Sequence, residues 1–199
     1  LANRTLFKER LHQAGQRARQ SGRSLALLHI DLDRFKILND SLGHELADQL
    51  LRQMSRRLAQ TIPEAETLAR LSGDEFAVLL DSYGSLSSLA RLASRVLSKL
   101  RLPIMVGDQE LVVSASIGIS LLPDNAREIS TLLSQANMAV QHAKHLGGNT
   151  FQFYTDNLQA CTLERLQLEN QLRKGIEEGQ LEVFYQPKLC LADDSLHAA

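Results

Sequence analysis

The chain has 199 residues, which is enough for one domain with a substantial core and a further short segment. Its 22 basic and 23 acidic residues give a net charge of -1, which argues against a surface for nucleic acid or an anionic membrane. No apolar run approaches the roughly 18 residues of a membrane span, and no signal peptide is visible. The two cysteines, Cys161 and Cys190, support neither a disulfide framework nor a zinc site, and we expect a cytoplasmic location.

Helices and strands alternate along the first half of the chain. Helix-forming residues from Arg4 to Gln20 precede the run LALLHIDL, Leu25 to Leu32, whose continuous apolar character is typical of a central strand buried on both faces. Apolar residues at helical spacing predict a helix from about Gly43 to Gln60. Two apolar runs, Leu68 to Leu71 and Phe76 to Leu80, flank a turn and predict a hairpin.

The same alternation continues to about residue 154. Leu86 to Leu100 is amphipathic with helical spacing, and the letters GDQ between two β-rich runs predict a second hairpin. Ile129 to His145 is helical in pattern and ends at Gly147-Gly148, and TFQFY predicts a short strand. This order predicts an α/β (α+β) fold with a mixed sheet of about five strands and helices packed on it.

A different organisation follows the compact unit, for which we predict the bounds 1–154. A charged helical pattern predicts a connector helix over 155–179, and GQLEVFYQPKL resembles the first strand of another domain over 180–199. Both ends of the chain look cut, so we expect a fragment of a longer protein.

Two acidic sites stand at predicted strand ends, Asp31-Leu32-Asp33 and Asp74-Glu75. Acidic residues in such places are often solvated turn formers. If the hairpin pairs beside the central strand, however, Asp31 and Asp74 converge, and carboxylates at one sheet edge repel each other unless a cation lies between them. Oxygen ligands of this kind suit magnesium that bridges carboxylates to phosphates. The small residues Ser72 and Gly73 allow a bulky anion to approach the backbone.

Further polar residues follow the buried strand. Lys36 is either a surface lysine or a phosphate contact, and Asn39 is either a turn residue or a reader of a base edge. Asp48 is either a solvated helical charge or an acceptor for a guanine edge. The letters HELAD lack the second histidine of a zinc HExxH motif, so we exclude zinc there, and His44 is expected to be a cap or packing residue.

Four spaced motifs, DLDRFKILNDSLGHELAD, RLSGDEF, SASIGIS and ANMAVQHAK, strongly resemble the GGDEF family of diguanylate cyclases. The resemblance covers Leu1 to Tyr154. The later stretch LENQLRKGIEEGQLEVFYQPKL is similar to the beginning of an EAL phosphodiesterase domain. The resemblance therefore implies a tandem GGDEF–EAL parent and a ferredoxin-like nucleotidyl-cyclase fold. It also implies GTP as substrate, a second copy of the domain as catalytic partner, and Mg²⁺ or Mn²⁺ as cofactor.

The resemblance also implies roles for individual residues. Asp31 and Asp74 match metal-binding carboxylates, the Leu32 carbonyl matches a further metal ligand, and Glu75 matches an acid near the attacking hydroxyl. Asp31, Asp74 and Glu75 are thus the expected catalytic residues. The expected substrate-binding residues are the guanine readers Asn39 and Asp48, the phosphate contacts Lys36 and Lys144, and Phe35, Ser72 and Gly73.

Several positions depart from the family pattern. Ser72 replaces the first signature glycine, which costs on the order of 1–2 kcal/mol if that position needs a positive φ, and otherwise adds a hydroxyl for phosphate. Gly148 stands where the family usually has arginine, and Ala47 replaces a common glycine. Pro63 to Glu66 stands where many relatives have the RxxD motif of an inhibitory product site, so we expect that site to be lost.

Two functions remain open at this point. One is a diguanylate cyclase domain that condenses two GTP into cyclic di-GMP and releases pyrophosphate, with turnover weakened by Ser72 and Gly148. The alternative is a catalytically weak or inactive GTP-binding module that regulates an attached EAL phosphodiesterase. The near-neutral charge predicts no nucleic-acid partner and no direct membrane contact by this part of the protein, although an anchor before Leu1 is compatible with the sequence.

Overall fold

The computed structural model describes most of the chain, namely residues 1–126, 128–158, 171–180, 182, 188–189 and 196–197. Contacts divide the chain into two units, Leu1–Gln159 and Ala160–Ala199. The helices of the first unit are α1 (Arg4–Ser21), α2 (Phe35–Leu42), α3 (His44–Thr61), α4 (Leu86–Leu100) and α5 (Ile129–His145). Its strands are β1 (Leu25–Leu32), β2 (Thr67–Ser72), β3 (Glu75–Asp81), β4 (Ile104–Val106), β5 (Gln109–Leu111), β6 (Ala115–Leu122) and β7 (Phe151–Phe153).

Five of these strands form one sheet in the order β2-β3-β1-β6-β7. The three pairs β2–β3, β3–β1 and β1–β6 are antiparallel, whereas β6 and β7 are parallel. All eight residues of β1 and of β6 are buried, as a strand covered on both faces requires. The predicted mixed five-stranded sheet with packed helices is confirmed.

Alternate residues of β1 face two different helical layers. Leu28 and Ile30 belong to the core that β1 shares with α3 and α4, whereas Leu25 and Leu27 belong to the core that it shares with α1 and α5. By this alternation His29 and Asp31 project toward the α1 and α5 layer. The α5 backbone approaches β6 so closely that a Cβ at Gly118 would collide with the backbone of that helix.

Two local features differ from the sequence prediction. Helix α2 was not predicted, because its eight residues follow the strand directly and carry only one buried side chain, that of Phe35. The GDQ segment does form a hairpin, β4–β5, but this pair is a separate two-stranded sheet. The long β-rich run after GDQ breaks at residues 112–114, and its second part enters the main sheet as β6.

In the second unit, strands β8 (Lys188–Leu189) and β9 (Leu196–His197) form an antiparallel pair. Much of the predicted connector helix over 155–179 lies outside the described residues; residues 156–158 and 171–177 are helical. Most of the predicted domain start over 180–199 likewise lies outside them. No helix in the described part of the chain has the length and apolar character needed to cross a membrane.

Candidate functional site

The two acidic sites of the sequence meet at one end of the sheet. In the strand register, Asp31 of β1 is paired with Glu75 of β3 on one side and with Ser116 of β6 on the other. Glu75 is in turn paired with Ser72 of β2. Directly paired residues project from the same face. The register of β2 shifts between Arg70 and Ser72, but the Ser72 hydroxyl is bonded to Glu75, so these four side chains form a polar row across four strands.

Asp31 is the most enclosed of the acidic residues, with 7% of its surface exposed. Its Oδ1 lies 2.6 Å from Nζ of Lys144, which α5 supplies from above this end of the sheet. Burial raises the pKa of Asp31, the opposing effect of Lys144 comes next, and the negative charges of Asp74 and Glu75 raise it further. Three carboxylates therefore converge, as the sequence predicts.

The β2–β3 turn places Asp74 beside the end of β1. The backbone N–H of Leu32 donates to the carbonyl of Asp74 at 3.4 Å. The turn requires a positive φ at Gly73, which has +38°, and Ser72 lies outside the left-handed region. The possible strain at Ser72 is thus absent, and its hydroxyl donates to Oε2 of Glu75.

The predicted guanine readers lie at the junction of α2 and α3. Asn39 is in the last turn of α2, and its Oδ1 lies 3.2 Å from Nδ1 of His44, the first residue of α3. Asp48 follows one turn along α3 and is exposed. His44 therefore contacts a residue that we predicted to read guanine. The sequence did not reveal this contact, because it shows His44 only as a residue that precedes an apolar run.

The other predicted substrate contacts differ in which of their groups a ligand can reach. Lys36 is exposed at the start of α2. The Phe35 side chain, in contrast, packs in the core between the sheet and α3, so only its backbone is available to a ligand. Lys144 is ion-paired to Asp31, so a phosphate would compete with this carboxylate for its ammonium group.

Asp33 has a structural role that the sequence did not reveal. Its carboxylate accepts hydrogen bonds from the hydroxyls of Ser114 and Ser116, both at 2.7 Å, and from the backbone N–H of Asn149 at 2.9 Å. The carboxylate thereby joins the end of β1 to the loop after α5, which contains Gly148. The available signal in the sequence was that Asp33 lies two residues after Asp31, a spacing that puts both side chains on the same face.

His29 is a second residue that the sequence analysis missed. It is only 3% exposed, and neither ring nitrogen has a hydrogen-bond partner in the described part of the chain. Its Nε2 lies 3.9 Å from Oε1 of Glu75. The signal was a polar residue inside a mostly apolar strand, two positions before Asp31 and on the same face.

Comparison with known proteins decides the family. The family model described as "Diguanylate cyclase, GGDEF domain" matches residues 1–150. The chain belongs to the GGDEF family of diguanylate cyclase domains. Over 197 residues, this GGDEF chain is 39% identical to the cyclic di-GMP phosphodiesterase NbdA of Pseudomonas aeruginosa, covering 99% of the chain and 25% of NbdA. It is 38% identical over 189 residues to the bifunctional diguanylate cyclase/cyclic di-GMP phosphodiesterase MucR of the same organism, covering 95% of the chain and 27% of MucR.

Solved structures agree with the fold. The GGDEF domain of TpbB (YfiN) from Pseudomonas aeruginosa superimposes with a TM-score of 0.78 at 35% identity, covering 82% of this chain and 95% of that one. Full-length TpbB, a diguanylate cyclase, is 40% identical over 145 residues, which cover 72% of this chain and 33% of TpbB. This GGDEF chain therefore spans about a quarter of the two longer relatives and a third of TpbB.

The residues at the sheet end fit the divalent ion that the family implies. Among the described residues, no three His, Cys, Asp or Glu side chains lie together as a complete metal cage. Magnesium does not need such a cage, because it commonly uses one or two carboxylates together with substrate phosphates and water. Asp31 and Asp74 supply two carboxylates. Burial is the main cause that raises the pKa of Asp31, the charges of Asp74 and Glu75 raise it further, and a cation would relieve that repulsion.

Proposed function

We propose that this GGDEF domain is a diguanylate cyclase that condenses two molecules of GTP into cyclic di-GMP. In each of the two steps, the 3′-oxygen of one GTP forms a bond to the α-phosphorus of the other. The bond from that phosphorus to the bridging oxygen breaks, and pyrophosphate leaves. The observation that carries the proposal is the convergence of Asp31, Asp74 and Glu75 at one sheet end beside Lys144.

The residues of the site then have separate roles in the reaction. Asp31, Asp74 and the Leu32 carbonyl would hold Mg²⁺ or Mn²⁺, which supplies positive charge to the phosphates when bound. Glu75 accepts the proton of the attacking 3′-hydroxyl, as a carboxylate within reach of the nucleophile does in general base catalysis. Lys36 and Lys144 neutralise phosphate charge, so that catalysis rests on positioning and electrostatics.

Guanine recognition is proposed for the α2–α3 junction. Asn39 and Asp48 present an amide and a carboxylate to the base, and Ser72 and Gly73 allow the phosphates to approach the β2–β3 turn. His44 is added to the set because its ring contacts the amide of Asn39 and fixes its orientation.

The reaction needs a second copy of the domain. One domain holds one GTP in this scheme, and each nucleotide supplies both a nucleophile and an electrophile, so two sites must face each other. Specific activity should therefore rise with protein concentration. A constant specific activity over a wide range of concentrations would contradict the scheme, unless the chain is already a tight dimer.

A second candidate is a GTP-binding module that turns over slowly and regulates an attached phosphodiesterase domain. Three observations favour it: Lys144 is paired with Asp31, Gly148 stands at the family's arginine position, and the Ser72 hydroxyl is bonded to Glu75. We further propose that residues 155–179 connect the GGDEF domain to an EAL domain that begins in residues 180–199. The alignment with NbdA over 197 residues supports this, since it runs past residue 150.

The test is to incubate the 199-residue chain with GTP and magnesium and to measure cyclic di-GMP over a range of protein concentrations. Calorimetry in parallel should show that GTP binds far better than ATP. Asp48→Ala should reduce that preference, because a site built to hydrogen-bond a base loses discrimination when one acceptor is removed. Glu45→Ala, which removes another exposed carboxylate of α3, is the matched control and should leave the preference unchanged.

The two candidates give different results. Product formation that stops in Asp74→Ala supports the cyclase. GTP binding without product supports the regulatory module. Equal affinity for GTP and ATP would refute the guanine assignment in both.

A further inference from the structure

Glu75 is hydrogen-bonded to Ser72 on one side and lies near His29 on the other. Its Oε2 accepts a hydrogen bond from Ser72, its paired neighbour on β2. Its Oε1 faces Nε2 of His29 at 3.9 Å, one row further into the sheet. His29 is paired with Ala77 and Gly118, so its strand neighbours on both sides are small.

The Ser72 backbone does not explain why a serine is present. Ser72 is the last residue of β2, and the positive φ of the turn is at Gly73. A glycine at position 72 would therefore fit the same backbone without the hydroxyl. The distinctive property of Ser72 in this chain is its bond to Glu75.

This bond bears directly on the chemistry proposed for Glu75. The Ser72 hydroxyl occupies one of the two oxygens that would accept the proton of the attacking hydroxyl. A glycine at the same position leaves both oxygens available to the substrate.

We propose that Ser72 is a positioning residue that holds Glu75 against the β2–β3 turn and thereby lowers the rate of the chemical step without weakening GTP binding. The inference rests on the proposed cyclase function and adds that the Ser72 hydroxyl lowers its rate. It replaces the sequence-based expectation that the hydroxyl contacts phosphate. Buried His29 lies beside the other oxygen of Glu75, with its Nε2 3.9 Å from Oε1.

The kinetic test compares Ser72→Gly, Ser72→Ala and Ser72→Thr with the unchanged 199-residue chain at one protein concentration. Ser72→Gly and Ser72→Ala should raise kcat about tenfold with KM unchanged, as expected for loss of one hydrogen bond to a charged group. Ser72→Thr keeps a hydroxyl and should retain the original kcat. Ser98→Ala, which removes an exposed hydroxyl on α4, is the matched control. A fall in kcat, or a rise in KM, in the glycine and alanine variants would overturn the proposal.

A second measurement separates this inference from the proposed function. Melting temperatures of Ser72→Ala, Glu75→Ala and the double variant should be non-additive, because the two side chains share one hydrogen bond. Additive changes would overturn the Ser72–Glu75 link whether or not the chain is active. A third outcome is that the melting temperatures are non-additive but neither the unchanged chain nor any variant makes cyclic di-GMP. The proposed cyclase function would then be wrong, and the effect of Ser72 on its rate with it.

Discussion

The carboxylate of Asp33 accepts a hydrogen bond from the backbone N–H of Asn149, at 2.9 Å, across 116 positions of sequence. The same carboxylate accepts the hydroxyls of Ser114 and Ser116, so it links β1, the start of β6 and the loop after α5. That loop directly follows the helix that carries Lys144. Asp33 thus connects the proposed metal-binding end of β1 to the loop that follows the proposed phosphate contact Lys144.

The first prediction follows from this link. Asp33→Ala should lower the free energy of unfolding by about 1–3 kcal/mol, because two serine hydroxyls and one backbone N–H lose their acceptor. Cyclase activity should fall as the loop after α5 loosens, and Asp33→Asn, which keeps one carbonyl oxygen, should be intermediate in both respects. Chemical denaturation and initial rates measure the two effects. Asp108→Ala, in the exposed β4–β5 turn, is the control, and an equal loss there would show that Asp33 has no special role.

The second prediction concerns Gly148, which the sequence resemblance aligns with an arginine of the family pattern. Gly148 has a φ of +75°, and a Cβ built on it would lie 2.9 Å from Oδ2 of Asp33, which is already held by hydrogen bonds. Gly148→Arg should therefore fail to raise activity and should cost about 1–2 kcal/mol of stability from backbone strain alone, with crowding in addition.

Gly22→Arg is the matched comparison for Gly148→Arg. Gly22 has a similar φ of +66°, but a Cβ there meets nothing within 4 Å. The difference in melting temperature between the two variants isolates the crowding against Asp33. A stable and more active Gly148→Arg protein would show that this loop accepts the family's arginine, and the missing cation would then be the sole consequence of Gly148.

The fold was predictable because its elements differ clearly in apolar pattern. The continuous apolar run of β1 and the helical spacing of α4 both identify elements whose bounds the structure reproduces. Helix α2 was missed because it has only eight residues and a single fully buried side chain, Phe35, with Leu38 partly buried against the same core. The break between β5 and β6 was missed because both parts have strand-like composition.

The candidate site was predictable only in part. The convergence of Asp31 and Asp74 followed from pairing the hairpin with β1, which requires no side-chain geometry. The contacts of Ser72, His29 and Asp33 depend on strand register and on the seating of α5, and a one-residue change of register would reverse every side chain. The sequence therefore predicts which carboxylates converge. It does not predict which residues contact them, because it does not specify the strand register.

The third prediction concerns acid stability. Burial lowers the pKa of His29, with Glu75 opposing and Lys144 and Arg4 adding to the decrease. The unfolded chain, with an ordinary histidine pKa of about 6.5, then takes up a proton first as pH falls. His29 therefore contributes stability above that pH and loses it as pH falls further.

Denaturation between about pH 8 and pH 5 should show a smaller loss of stability for His29→Leu than for the unchanged chain. Asp31, whose pKa is raised, has the opposite effect on the pH dependence of stability. Because Asp31 is present in both proteins, the difference between their stability profiles measures the effect of His29. His12→Leu, an exposed histidine of α1, should keep the original profile. Parallel profiles for the unchanged chain and His29→Leu would show that His29 is not held neutral.

The fourth prediction is that this GGDEF domain does not bind cyclic di-GMP at the family's inhibitory position. Pro63 stands in place of the arginine, so the planar donor group that would grip phosphate or guanine is absent. The two glutamates of this segment are both ion-paired, Glu64 with Arg95 of α4 and Glu66 with Arg17 of α1.

These ion pairs neutralise the two glutamates and also engage Arg17 and Arg95, so neither arginine is free to bind a dinucleotide. Calorimetry of the 199-residue chain with cyclic di-GMP, without GTP, should therefore show no binding at this surface. Weak binding at the active site is distinguished by its loss in Asp74→Ala and Asp48→Ala. Glu64→Gln together with Glu66→Gln releases both arginines and should create measurable affinity if ion pairing is what blocks them. Micromolar binding by the unchanged chain that persists in Asp74→Ala and Asp48→Ala would contradict the prediction, because it would require a second product site that Pro63 has not removed.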